Sequence, residues 1–228
     1  MTTAVRPDFD VDVRFTSGIC TPRQVAELVE MPPATVYSWA NQRGKRPPVV
    51  HRVPVQVRGY ASIPLAGLAE ASTLRALRQM HLPMRKMVEA ADWYRTQYDD
   101  DYALASPRIV TDGIDLFVEE SGGELHRAGD GQRPFREIIE AYLRPIVMDP
   151  DGYARAYKVE LAPGIEAEID PRFNSGRISL RRNRMPLFAV LGSLQAGDPA
   201  TVVAHEYDLS VQEVRVVGGH ARWLEKVA

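Results

Sequence analysis

A single cysteine, Cys20, stands in the 228 residues. It has no internal disulfide partner and no second thiol with which to share a metal, which fits a reducing compartment. Long apolar runs are missing as well, and the opening MTTAVRPDFD lacks a basic flank followed by an apolar stretch. Neither a membrane span nor a secretory leader is therefore expected, and the cytoplasm is the expected location. Net charge is small, since 28 Lys+Arg face 30 Asp+Glu for a formal -2. Taken alone, that balance argues against an obligate nucleic-acid binder. Disorder is not the default either: 45% hydrophobic and 25% charged residues suit one large or two small globular cores.

Catalytic constellations are also lacking. The five histidines (His51, His81, His126, His205, His220) are scattered, and no His/Cys/carboxylate grouping has metal-ligand spacing. Each reads as a surface or packing residue. Asp99-Asp100-Asp101 are consecutive and cannot converge on one ion, so a solvated loop is expected there. Gly129-x-Gly131 has neither the preceding strand nor the third glycine of a dinucleotide fingerprint, and no Ser or Cys sits in a nucleophile elbow. No enzyme, cofactor or metal site is expected.

What the chain does have is uneven charge. Residues 1–100 carry 13 Lys+Arg against 10 Asp+Glu, 101–168 carry 7 against 14, and 169–228 carry 8 against 6. From Arg14 to Arg58 the bias sharpens: Arg14, Arg23, Arg43, Lys45, Arg46, Arg52 and Arg58 are opposed only by Glu27 and Glu30. Such a local excess is a footprint for phosphate.

The same stretch has the pattern of a helix-turn-helix. Thr21 is a good N-cap and Pro22 suits the first helical position, with Val25, Leu28 and Val29 on one face. After Glu30-Met31, Pro32-Pro33 restart a helix whose buried face is Val36, Trp39 and Ala40. Thr35, Tyr37, Ser38, Asn41, Gln42 and Arg43 are left outward, and several of these are residue types that reach base edges and phosphates. Val49, Val50, Val53, Val55 and Val57 before Arg58-Gly59, with Tyr60 beyond, predict a β-hairpin carrying Arg52 and Arg58. Two more helices follow, one with Leu65, Leu68, Leu74 and Leu77 at helical spacing and one starting at Pro83. In this order residues 18–98 resemble the winged helix-turn-helix of MerR-type regulators, without that family's long coiled coil afterwards. The resemblance implies DNA contacts from Tyr37, Asn41, Arg43, Lys45, Arg46 and Arg52.

From Pro107 the period shortens: Ile109, Ile114, Leu116 and Val118 predict small hairpins, and Phe135, Ile138, Ile139 and Tyr142 a helix over 134–143. Ile146-Val147-Met148, the turn 149–152 and Tyr153 to Leu161 predict another hairpin, and Ala162-Pro163-Gly164 reads as a hinge. Three helices are expected beyond it. Leu187, Val190, Leu191 and Leu194 line the first; Asp198 caps and Pro199 opens the second, with Val202 and Val203 buried. Ser210 with Glu213 forms the capping box of the third, which buries Val211, Val214, Val217 and Trp223. The expected fold class is mainly α with small β-hairpins (α+β): a winged helix-turn-helix over 14–98, a small α+β middle over 99–162 and a three-helix domain over 163–228.

Asp170-Pro171, Gly176, Arg184 with Pro186, Gly197-Asp198-Pro199, and Tyr207-Asp208-Leu209-Ser210 with Glu213-Val214 resemble a small bacterial helix-turn-helix-like domain usually encoded beside a PIN-like ribonuclease. Arg182-Asn183 stand where that family has Gly-Thr. A MerR-like winged helix joined to such a domain is similar to VapB-type antitoxins of type II toxin-antitoxin systems. The resemblance implies double-stranded operator DNA and a PIN-like ribonuclease toxin as partners, with autorepression and no membrane contact. A PIN-like nuclease holds its metal with clustered carboxylates, so an inhibitor needs a cation to lie against that pocket. Arg177, Arg181, Arg182 and Arg184 are the densest such cluster, and, with Trp223-Leu224 near the last residue, folded surface is expected to do the work. Homodimerisation through the C-terminal helices is expected, because one recognition helix reads few base pairs. The alternative is a MerR-like regulator sensing a small ligand through 104–161.

Overall fold

The computed structural model describes residues 7–41, 47–55, 57, 59–79, 84–106 and 144–227. The hairpins expected over 107–123 and the helix over 134–143 lie outside them, as does Arg58. The described fold is α+β, with an N-terminal helix-turn-helix, a four-stranded antiparallel sheet and a C-terminal group of helices.

A one-turn helix, α1 (Val13–Thr16), precedes α2 (Pro22–Leu28) and α3 (Pro33–Ala40). Thr21 caps α2 in a full capping box: its side chain accepts from Gln24 N at 3.2 Å, and Gln24 Oε1 accepts from Thr21 N at 2.7 Å. Glu30, at φ 49°, takes the left-handed conformation that turns the chain between α2 and α3. Val25, Val29, Val36, Trp39 and Ala40 are buried as their spacing requires. Beneath them lie α4 (Leu65–Gln79) and α5 (Met84–Tyr98), with Leu65, Leu68, Leu74 and Leu77 all inside the core. Met84 closes over the Trp39 indole, its sulfur 3.0 Å from Nε1.

The wing differs from its reading in sequence. Among the described residues of 47–62 there is no strand; an isolated bridge joins Cys20 to Ile63, and Val53 N donates to Ser62 O at 2.8 Å. Val49 and Val50 explain the difference, because both are buried and both donate their N–H groups to Trp39 O. Their β-branched side chains serve the helical core, and a loop takes the place of a ladder.

The sheet is built from β1 (Ile146–Met148), β2 (Ala154–Ala162), β3 (Ile165–Ile169) and β4 (Ser179–Leu180) in sequential order. The hairpin predicted at 146–161 is present, with Ile146 opposite Tyr157. Ala162-Pro163-Gly164 is a tight turn between paired strands, with Gly164 at φ 78°, so the position read as a hinge lies inside one continuous sheet. Beyond β4 come α6 (Leu187–Gln195), α7 (Ala200–Glu206), α8 (Val211–Gly219) and α9 (Ala221–Val227). Four helices thus replace the expected three, because the chain breaks at His220, the C-cap of α8. Pro199, not Asp198, holds the N-cap position of α7, and no side chain caps it. Val203 is buried and Val202 is exposed. The Ser210/Glu213 capping box is present.

These helices fold back onto the N-terminal unit. Helix α9 packs on α2, with Lys226 Nζ 3.3 Å from Glu27 Oε2. Tyr157, a buried residue of β2, donates its hydroxyl to Leu28 O at 3.1 Å, and burial pushes its pKa up to about 12. Gly176, at φ 75°, lets the backbone close on the Ile19 side chain.

Candidate functional site

Helix α3 has an inner face of Val36, Trp39 and Ala40 and an outer face on which Tyr37 and Asn41 are exposed and Thr35 and Ser38 half-exposed. Arg52 reaches back from the following loop and donates through Nη1 to Asn41 Oδ1 at 2.9 Å. The structure thereby brings Tyr37, Asn41 and Arg52 onto one surface; Arg43, Lys45 and Arg46 lie outside the described residues. A helix of this exposure, with an amide and a guanidinium at its end, can enter a groove and meet both phosphates and base edges.

An ionic cluster that sequence reasoning missed fixes the loop that carries Arg52. Glu70, fully buried in α4, accepts from His51 N at 2.7 Å, and its carboxylate pairs with His51 Nδ1 at 2.7 Å and Arg95 Nη2 at 3.1 Å. Arg95 also donates to Val49 O at 2.9 Å and Pro48 O at 3.2 Å. Burial alone would raise the Glu70 pKa, but the His51 and Arg95 charges and bonds outweigh it, so the carboxyl is held below its ordinary range. Glu70 in an otherwise apolar helical repeat was the available signal, because a buried carboxylate requires partners. His51 is thus one arm of a hydrogen-bonded cluster built around the buried Glu70.

The arginine segment is equally specific. Arg181 Nη1 lies 2.6 Å from Glu166, and Arg182 bridges Glu213 at 3.1 Å and Asp208 O at 2.7 Å. Arg184 pairs with Glu168 and lies over the Phe173 ring at 4.2 Å; Arg177 lies over the Phe188 ring at 4.9 Å. Three of the four expected cations therefore meet carboxylates of their own chain. The bonds from Arg181 and Lys158 lower the Glu166 pKa. Asp149 and Asp170 extend the series through Arg172, and Arg14 joins Asp12, Asp149 and Asp151.

Asp100, expected in a solvated loop, is instead buried and accepts from Tyr153 Oη at 2.5 Å. Among the described residues no group of His, Cys, Asp and Glu has the geometry to hold a metal, and no helix is long and apolar enough to cross a membrane. A cleft of about 640 Å³ opens between α2, β2 and α9, lined by Leu28, Met31, Arg75, Tyr157, Leu161 and Trp223 among others. Trp223 is half-buried there.

Residues 19–91 match the family described as "Putative DNA-binding HTH domain". The match spans α2 through most of α5, the unit to which Tyr37, Asn41 and Arg52 belong. Over 91% of its length the chain is also 28% identical to a Mycobacterium tuberculosis protein named "Putative antitoxin VapB45", covering 95% of that protein. The crystal structure of Rv2018 from Mycobacterium tuberculosis superposes with a TM-score of 0.72 at 27% identity, over 90% of this chain and 98% of that one. The likeness therefore extends well beyond the helix-turn-helix.

Proposed function

We propose that this protein is a VapB-like antitoxin of a type II toxin-antitoxin system, which binds operator DNA through α3 and the following loop and neutralises a PIN-like ribonuclease toxin. The observation that carries the DNA half is the outward face of α3, with Tyr37 and Asn41 exposed and Arg52 bonded to Asn41. The likeness to a protein named an antitoxin, over 91% of the chain, supports the toxin half. DNA-contacting residues are Tyr37, Asn41, Arg43, Lys45, Arg46 and Arg52; the toxin-facing segment is that of Arg177, Arg181, Arg182 and Arg184. Bound to its own promoter as a homodimer, the protein would repress its own synthesis and act without catalysis in the cytoplasm.

Two measurements test this reading. Replacing Arg43 and Arg46 with Ala should weaken DNA binding across sequences, each lost phosphate contact lowering the log–log salt slope by about 1. An unchanged affinity and slope would remove the DNA half. Co-purification with the protein encoded beside it should give one complex with suppressed ribonuclease activity, and separate elution would remove the toxin half.

The cleft supports a second reading, a MerR-like regulator sensing a small ligand, since Tyr157 and Trp223 line a space directly behind α2. That reading requires a small molecule that changes operator affinity in the absence of any protein partner.

A further inference from the structure

Helix α6 carries no charged residue in its nine positions, and only one side of it is buried. Leu187, Val190 and Leu191 face the core, whereas Phe188, Gly192 and Gln195, spaced four and three apart on one face, are exposed, Phe188 by 43%. A Cβ added to Gly192 would meet nothing within 4 Å. Glycine in an exposed helix interior is less favourable than alanine, so its place here has no cause within the chain. Opposite charges mark the two ends of this face. At the first turn the Arg177 guanidinium lies 4.9 Å from the Phe188 ring centroid; at the last, Gln195 Nε2 donates to Glu225 Oε1 at 3.2 Å and Asp198 N donates to Ser193 O at 3.1 Å. Among the described residues no carboxylate pairs with Arg177, and no cation pairs with Glu225 or Asp198.

We infer that this face of α6 is the contact between two copies of the chain, the two helices crossing antiparallel about a two-fold axis beside Gly192. The inference rests on the homodimer of the proposed function, and it assigns Arg177, within the arginine segment, to the second copy. Phe188 and Gln195 lie about 10 Å apart along the helix, on either side of Gly192. An antiparallel two-fold therefore sets Phe188 of each copy against the hollow between Gly192 and Gln195 of the other. The same operation brings Arg177 of one copy to Glu225 and Asp198 of the other, and it does so twice. Parallel helices would set Arg177 against Arg177, which fixes the direction. Nucleic acid is a poorer occupant, because Asp198 and Glu225 would repel phosphate. A protein face of one charge sign would be repelled at one end or the other, whereas a second copy matches both ends. One α3 reads only a few base pairs, so the operator-binding surface is incomplete without that second copy.

The test reads self-association of the full-length chain by sedimentation across a concentration series, with folding checked by circular dichroism and binding to the protein encoded beside it measured on the same preparations. Gly192→Gln places a longer and better helix former where the chain itself leaves open space, so it should keep the fold and weaken the dimer about tenfold or more. Arg177→Glu and Glu225→Arg should each weaken it about tenfold, because every dimer then holds two like-charged pairs. Mixing these two variants should recover most of the lost affinity, since in the mixed dimer both pairs are again opposite in sign. Unchanged self-association in Gly192→Gln and in both charge variants would overturn the face and leave the homodimer to another surface. So would charge variants that stay weak when mixed, or loss of binding to the neighbouring protein with self-association intact. A wild-type chain that remains a monomer throughout the series would overturn both the face and the homodimer.

Discussion

Replacing Glu70 with Leu should be among the most damaging single changes in the N-terminal unit. The carboxylate is fully buried and takes the His51 backbone N–H at 2.7 Å, the His51 ring at 2.7 Å and Arg95 Nη2 at 3.1 Å. Its removal strands a buried guanidinium and a backbone donor, and breaking a buried pair from one side costs about 3–5 kcal/mol. Arg95 keeps its bonds to Val49 O and Pro48 O, which places the expected loss at the lower end, about 3 kcal/mol. For a chain of this length each kcal/mol moves the melting midpoint by roughly 2–4 °C, so a fall of about 10 °C is expected in a thermal scan. Removing both charges, as Glu70→Leu with Arg95→Met, should recover only part of it, because no buried charge is stranded but the His51 N–H and the Val49 and Pro48 carbonyls lose these partners. DNA affinity should still fall in the double variant, since the loop of Arg52 loses its anchor on α4 and α5. A fall below about 1 kcal/mol in Glu70→Leu would mean that water reaches the cluster and would refute the reasoning.

The pH dependence follows from the same group. A folded-state pKa below the ordinary carboxylate value adds stability that is complete above about pH 5 and is lost as pH falls through the folded pKa, so the wild-type midpoint should drop in acid more than that of Glu70→Gln; parallel curves would contradict the pairing. Gly176→Ala should cost about 2 kcal/mol or more in urea unfolding, because φ is 75° and an added Cβ would run into the Ile19 side chain. Cys20 is buried, which pushes its thiol up to about 12, so a thiol reagent at pH 8 should label it only as fast as the chain unfolds; immediate labelling would place it at the surface. Arg52→Ala should weaken operator binding about tenfold with an unchanged melting midpoint, and unaltered binding would detach the loop from the DNA surface.

Local signals were legible where one helix face or one cap decided the outcome. Thr21-Pro22, Pro32-Pro33, Ser210 with Glu213, and the leucines of α4 all do in three dimensions what their spacing says. Readings failed where a distant group competed. Val49 and Val50 are β-branched residues of a predicted strand, but the open carbonyl of Trp39 at the end of α3 takes both their N–H groups. The turn at 162–164 has hinge composition, yet Ile165 to Ile169 return directly alongside β2. For the candidate site, the sequence located the outward residues of α3 and not the cluster behind them, because Glu70, His51 and Arg95 are separated by up to 44 positions.

Charge counting needs the same correction. The four arginines of 177–184 are the densest cationic cluster in the sequence, but the antiparallel sheet lays Glu166, Glu168 and Asp170 beside Arg181 and Arg184, and α8 lays Glu213 beside Arg182. A guanidinium already matched to a carboxylate gains little from a second, since most of its desolvation has been met at home. Arg177 is stacked on Phe188, and among the described residues no carboxylate pairs with it. Helix α2 then connects the two ends of the argument: one side of it packs on α3, which faces DNA in the proposed function, and the other on α9 and the Tyr157 hydroxyl. A partner that shifts the C-terminal helices must therefore act on a scaffold helix of the DNA reader. Lys226→Glu places like charges across the α9–α2 contact, 3.3 Å from Glu27, and should weaken DNA binding although Lys226 lies on the last helix. Unchanged operator affinity in that variant, with the fold intact by circular dichroism, would show that the two ends act independently.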